Sequence, residues 1–191
     1  MSQLSKMALH SANICIESTQ VQPHCVFASQ HGELTRTVKI LSSLAKDGEI
    51  SPTDFSMSVH NTALGLFSIF ENNKKPATTV AAGSDTFGFA LLEACVLLNR
   101  FPDTPVLIVY FDEPIPEPIN IQKNDREEPL SIALLLQSNG TSNLSMSFEH
   151  NGSTNTSVTS ELGKSFLKFY LSDCIEKKVN TYKTTWFWQK F

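Results

Sequence analysis

The sequence predicts an α/β fold: a layered, mainly parallel sheet with helices on both faces and an antiparallel addition. Three observations carry this. Hydrophobic periodicity switches along the chain in the order strand, helix, helix, strand, helix, strand, the alternation that builds parallel sheets. The run PVLIVYFDE (105–113) is apolar over almost its whole length, as a strand buried on both faces must be. ATTVAAGSDTFGFALLEA (77–94) reads as a short β-branched strand that turns sharply into a helix with no wet face. With 191 residues, 41% of them hydrophobic and 18% charged, the chain is expected to form one domain, 1–191, around a substantial core.

Each element has its own signal. Residues 7–16 alternate loosely and are expected as an edge strand. HCVFAS (24–29) is a short apolar strand that ends at Gln30-His31-Gly32. In ELTRTVKILSSLAKDG, Leu34, Val38, Leu41 and Ala45 fall on one stripe of an amphipathic helix closed by Gly48. A second helix, capped by Asp54 or Ser56, is expected through TALGLFSIFEN, with Leu64, Phe67 and Phe70 on its apolar side. Helix 85–99 follows the elbow. Only Glu93 interrupts its apolar surface, so sheet, helix or another chain must cover every side. Asp85 lies in its first turn, where a negative charge suits the helix dipole. Beyond strand 105–113, the proline-punctuated residues 113–129 read as a surface connection. SIALLLQSN and NLSMSFEHN read as a hairpin through Gly140-Thr141, and NGSTNTSVTS as a loop. Glu161 to Ser172 is expected as a helix with Leu162, Phe166 and Phe169 on one side. The tail VNTYKTTWFWQKF holds both tryptophans.

Composition excludes several functions. A net charge of −4 with 15 scattered Lys and Arg argues against a nucleic-acid or anionic-membrane surface. No run approaches the ~20 apolar residues of a membrane helix, and MSQLSKMALHSANICI lacks the form of a secretory signal. A cytoplasmic location is expected. Cys15, Cys25, Cys95 and Cys174 share no C-x-x-C spacing; the first three sit among apolar neighbours and read as small core residues, not disulfides or ligands. His31 and Glu33 are close in sequence, but nothing completes a metal set, so no metal is expected. There is no G-x-G-x-x-G or Walker loop, and no cofactor is expected. Sequons at Asn139, Asn143, Asn151 and Asn155 read as ordinary polar turns.

The elbow raises a chemical question, because strand-to-helix turns often mount a nucleophile, and this one offers Ser84. Its surroundings, Ala82-Gly83-Ser84-Asp85-Thr86, lack the flanking glycines of G-x-S-x-G. Of the histidines at 10, 24, 31, 60 and 150, only His150 follows the elbow, on an expected strand beside a loop. A helix N-cap, its hydroxyl accepting from the first-turn amides, is the better-supported reading of Ser84. Asp112 and Glu113 end the buried strand, where α/β proteins often place functional groups, but the prolines that follow suggest a plain exit turn.

SPTDFSMSVHNTALGLFSIFENNKKPATTVAAGSDTFGFALLEA, with FASQHGEL and LSSLA before it and VLIVYFDEPIP after it, forms a linked set from about Val26 to Asp112. This set resembles the N-terminal half of β-ketoacyl synthases, which have the thiolase fold. More closely, it is similar to the short β-ketoacyl synthase-like N-terminal proteins of aryl polyene gene clusters, which serve as chain-length factors. The C-terminal third matches only loosely. Counted from Pro76, the synthase cysteine falls on Ser84, and the other catalytic residues belong to a C-terminal half absent from this sequence.

The resemblance therefore implies half of a thiolase-like fold and a non-catalytic subunit. It would heterodimerise with a catalytic β-ketoacyl synthase, fed by an acyl carrier protein. The strand of Ala77, Thr78, Thr79, Val80, Ala81 and Ala82 would pair with the partner, with Phe87 on the following helix beside it. Gln30, His31, Met57, His60, Leu64 and Phe67 would wall the acyl tunnel. Plain core packing is the rival reading of Leu64 and Phe67, and a surface or capping role that of His31 and His60. Two other functions stand beside this one: a hydrolase or acyltransferase using Ser84, and a scaffold that only solubilises the synthase.

Overall fold

The computed structural model describes residues 1–120, 128–140, 143–150 and 161–191. Helix α1 (Gln3–Ile16) opens the chain, capped by Ser2, whose side chain accepts from the Ser5 amide. This corrects the edge strand expected over 7–16. The buried residues Leu4, Ser5, Ala8, Leu9 and Ala12 keep helical spacing, but two of them are alanines too small to reveal the stripe. Strand β1 (His24–Ala28) follows, buried throughout.

Helix α2 (Leu34–Asp47) ends at Gly48, which takes a left-handed conformation with φ 71° and donates its amide to Leu44 O. The single helix expected next is broken in two. Ser51 caps α3 (Pro52–Ser56), with Pro52 in its first turn, so Asp54 and Ser56 are not the cap. A turn separates it from α4 (Thr62–Phe70). Strand β2 (Ala77–Val80) leads through a 3₁₀ turn at Gly83–Asp85 into α5 (Thr86–Arg100). Then come β3 (Val106–Asp112), β4 (Leu130–Leu136), β5 (Leu144–His150), α6 (Leu162–Leu171), β6 (Glu176–Asn180) and β7 (Thr184–Lys190).

Two sheets form. The first has the order β2-β1-β3-β4, with β1 parallel to both β2 and β3 and with β4 antiparallel to β3. The second, β5-β7-β6, is antiparallel throughout. The hairpin expected between residues 131–139 and 143–151 is therefore not formed among the described residues. Leu130–Leu136 extends the first sheet, and Leu144–His150 pairs with the tail strand β7. The loop expected at 151–160 and Thr141 lie outside the described residues.

Alternation along β1 and β3 divides the core. Cys25, Phe27, Leu107, Val109 and Phe111 face α1 and α4 on one side of the first sheet. Val26, Ala28, Ile108 and Tyr110 face α5 and α6 on the other. The second sheet closes over α5 and α6 with Trp186, Trp188 and Val179. The layers thus run helices, sheet, helices, sheet, with helices on both faces of the first sheet.

This layering answers what covers the apolar helix. Phe87, Ala90, Leu91 and Ala94 are buried within the chain itself. Gly88 lets Trp186 approach so closely that a Cβ there would lie 2.3 Å from its ring. What stays open on α5 is a strip containing Cys95 and Val96, both exposed. Cys95 is therefore not a core residue as its neighbours suggested; among the four free cysteines only Cys25 is fully buried.

Candidate functional site

The elbow is held by Thr86. Its Oγ1 accepts from the Ala82 amide at 2.8 Å and donates to Gly83 O at 2.7 Å. Gly83 turns the chain with φ 58°, a region costly for residues with a Cβ. Ser84 is half-buried, and its hydroxyl makes no hydrogen bond among the described residues. It is not the N-cap that the sequence suggested. Thr86 secures the turn, and α5 begins with no side-chain cap.

Asp85 does more than complement a dipole. It is 3% exposed, and its Oδ1 accepts from Thr181 Oγ1 at 2.6 Å and from Trp186 Nε1 at 2.7 Å. These bonds rivet the elbow to the second sheet. Chemically, a carboxyl one residue after Ser84 is a poor neighbour for any anionic nucleophile there, since like charges disfavour each other's ionised forms. No histidine is hydrogen-bonded to the Ser84 hydroxyl. His24 is buried against Phe101, and His60 is engaged elsewhere. The arrangement has the shape of a nucleophile elbow without its proton-transfer partner.

Beside it, the loop after β1 is organised by Asp112 at the end of β3. The Asp112 carboxyl accepts from Ser29 Oγ at 2.8 Å and from the Gln30 and His31 amides at 2.9 and 3.2 Å. Ser29 Oγ accepts in turn from the Gly32 amide at 2.7 Å. His60 Nε2 lies 2.8 Å from Ser29 O, and because a carbonyl only accepts, that ring nitrogen carries the proton. A Cβ on Gly32 would meet His60 Cδ2 at 3.1 Å, and Gly32 has φ 56°, so both space and backbone favour glycine. The backbone bond from Ser29 N to Val80 O at 3.2 Å joins this loop to the end of β2.

Gln30, His31 and His60 are thus gathered at one end of the first sheet, beside the elbow strand. Met57 is half-buried in the turn before α4. Leu64 and Phe67 lie deeper. They are 8% and 0% exposed, and Phe67 packs on Phe27 with ring centroids 5.4 Å apart. Phe87 is also inside the chain's own core, against Tyr110 and Phe166. Ser29, Thr181 and Trp186 are structural keys that the sequence did not flag, and Asp112 organises a loop where the sequence suggested only an exit turn. For Asp112 a signal existed, its place at the C-terminal end of a buried strand.

Among the described residues the strand β2 is an edge, bonded to β1 alone. Pro76 O and Val80 O point toward β1, accepting from Cys25 N and Ser29 N. Backbone alternation then turns the N–H and C=O of Ala77 and Thr79 to the open side. The strand carries no charge, proline or bulge to block another strand.

Desolvation raises the thiol of Cys15 and, although that residue reaches solvent, the thiol of Cys95, and burial pushes that of Cys25 up to about 12. None of these three is activated as a nucleophile. Among the described residues no three His, Cys, Asp or Glu side chains are grouped to hold a metal, and no helix is long and apolar enough to cross a membrane.

The family described as "Beta-ketoacyl synthase, N-terminal domain" matches residues 1–189. Among solved structures, a ketosynthase (ApeO) in complex with its chain length factor (ApeC) from Xenorhabdus doucetiae contains a chain 31% identical to this one. That match covers 99% of this chain and 78% of the other, with a TM-score of 0.86. The ishigamide ketosynthase/chain length factor is 22% identical over 59% of this chain and 35% of its own, with a TM-score of 0.53, a likeness of fold alone. No curated protein matches significantly.

Proposed function

The chain belongs to the β-ketoacyl synthase N-terminal domain family, with the architecture of half a thiolase-like fold, and on that basis we propose that it is a non-catalytic, chain-length-factor-like subunit that pairs with a catalytic ketosynthase. One observation carries the reading. An uncharged β-edge lies open immediately before an elbow whose serine has no hydrogen-bonded base among the described residues. Such an edge is a hazard in a protein that works alone and a template in one that works paired.

In this reading Ala77 and Thr79 exchange backbone hydrogen bonds with the partner, and the strip of α5 at Val96 lies alongside. The reactive cysteine belongs to the ketosynthase, and acyl groups reach it on an acyl carrier protein. Gln30, His31 and His60, gathered beyond the end of β2, line the far wall of the acyl tunnel together with Met57 from the turn after α3, and limit its depth by steric exclusion. The product class is an aryl polyene.

The test is Thr79→Pro. Proline there removes an N–H that faces outward and leaves the β1 ladder intact. Co-purification with the ketosynthase should fail while the variant stays folded; retained pairing would sink the reading.

A second reading, a scaffold that supports the synthase without shaping its tunnel, is favoured by the burial of Leu64 and Phe67 in the chain's own core. Met57→Ala and His60→Ala separate the two. Longer products indicate a length-setting wall, and unchanged products indicate a scaffold.

A further inference from the structure

From Leu34 to Asn61 no described residue is buried, although α2 is amphipathic. Leu41, Leu44, Phe55 and Val59 are 55, 44, 62 and 45% exposed. The arm formed by α2, α3 and the following turn is held together by polar contacts instead. Arg36 Nη1 meets Asp54 Oδ1 at 2.6 Å, and Arg36 Nε lies 3.5 Å from Glu33 Oε2. Gly32 and Gly48, both at positive φ, stand at the start of the arm and at its bend. Amphipathic helices take most of their stability from the surface they cover, and this one covers little of its own chain.

The size of the proposed pairing calls for more surface than the β2 edge supplies. The open edge of β2 offers two outward residues, whereas a stable interface takes roughly 800 Å² and about 20–30 residues from each partner. Most of that surface must come from elsewhere. The arm adjoins the edge through Ser29, which His60 contacts from the turn after α3 and whose amide bonds Val80 O. We propose that the α2–α3 arm is the main apolar docking surface for the catalytic ketosynthase, continuous with the β2 edge, and that it gains rigidity when that partner covers it. This rests on the pairing proposed above and adds the residues that supply its apolar contact.

The test uses the full chain with the X. doucetiae ketosynthase ApeO as probe. The double variant Leu41→Ser/Phe55→Ser should keep its melting transition, because neither side chain is buried, and should bind about 100-fold more weakly, the loss of two interface anchors. Backbone amides over 34–59 should gain hydrogen-exchange protection in the wild-type complex. Wild-type affinity in the double variant, or protection confined to 77–80, overturns the arm while sparing the strand pairing. Absence of any binding by the wild-type chain brings down the pairing itself. Self-association that the double variant abolishes while ApeO binding persists assigns the arm to a second copy, which also overturns the inference.

Discussion

Asp85 Oδ1 accepts the indole N–H of Trp186 at 2.7 Å, a buried bond between residues 101 positions apart that locks the elbow to the last strand. Removing one donor leaves a buried carboxyl under-bonded, which costs about 1–3 kcal/mol, more where a cavity is left as well. Trp186→Phe should therefore lower unfolding free energy by about 2–4 kcal/mol in urea titration. A double-mutant cycle with Asp85→Ala should return a coupling of about 1 kcal/mol or more. Additive losses would show that the bond contributes nothing specific.

Gly88→Ala pits helix propensity against packing. Alanine is worth about 1 kcal/mol over glycine inside a helix. The new Cβ, however, would lie 2.3 Å from Trp186 Cζ2, and overpacking of this kind costs roughly 1–3 kcal/mol. Packing should win, giving net destabilisation in wild type and a smaller loss, or a gain, in the Trp186→Phe background. A stabilised Gly88→Ala single variant would contradict the close approach.

Ser84→Ala should leave stability within about 0.5 kcal/mol, because the hydroxyl makes no hydrogen bond among the described residues and replacing a true N-cap costs about 1 kcal/mol. A serine-directed phosphonate should not label the isolated chain. Labelling that Ser84→Ala abolishes would revive the hydrolase reading.

Cys25 supplies a pH signature. Burial raises its thiol from 9.0 to about 12. Above pH 9 the unfolded chain releases a proton that the folded chain keeps. The stability this group lends is thus whole below pH 9 and falls by about 1.4 kcal/mol per pH unit until the folded value is reached. Urea titrations between about pH 8 and 10 should show this slope in wild type and its loss in Cys25→Ala. Equal slopes in the two proteins would rule the buried thiol out as the cause.

Much of the fold was legible because burial writes a period into the chain. The unbroken apolar run became β3, the stripe of Leu162, Phe166 and Phe169 became the inner side of α6, and the β-branched strand before Gly83 became β2. Legibility failed where small residues carry the buried face, as in α1. It failed again at β4 and β5, whose proximity in sequence suggested a hairpin although each pairs with a more distant strand. At the site, the elbow and the loop at Gln30 and His31 were readable as places. The hydrogen bonds that shape them, accepted by Asp112 and by Asp85, were not.

The sequence by itself determined most of the strands and helices between β1 and α6, that α5 must be covered on nearly all sides, and that the elbow holds serine. Only the tertiary structure decided that the chain's own first sheet, α6 and Trp186 do most of that covering, that Thr86 rather than Ser84 secures the turn, and that α2 turns an apolar face to solvent. The reason is physical. Hydrophobicity is a property of each residue and can be read in order, whereas burial and hydrogen bonding are relations between residues whose partners are chosen by the fold.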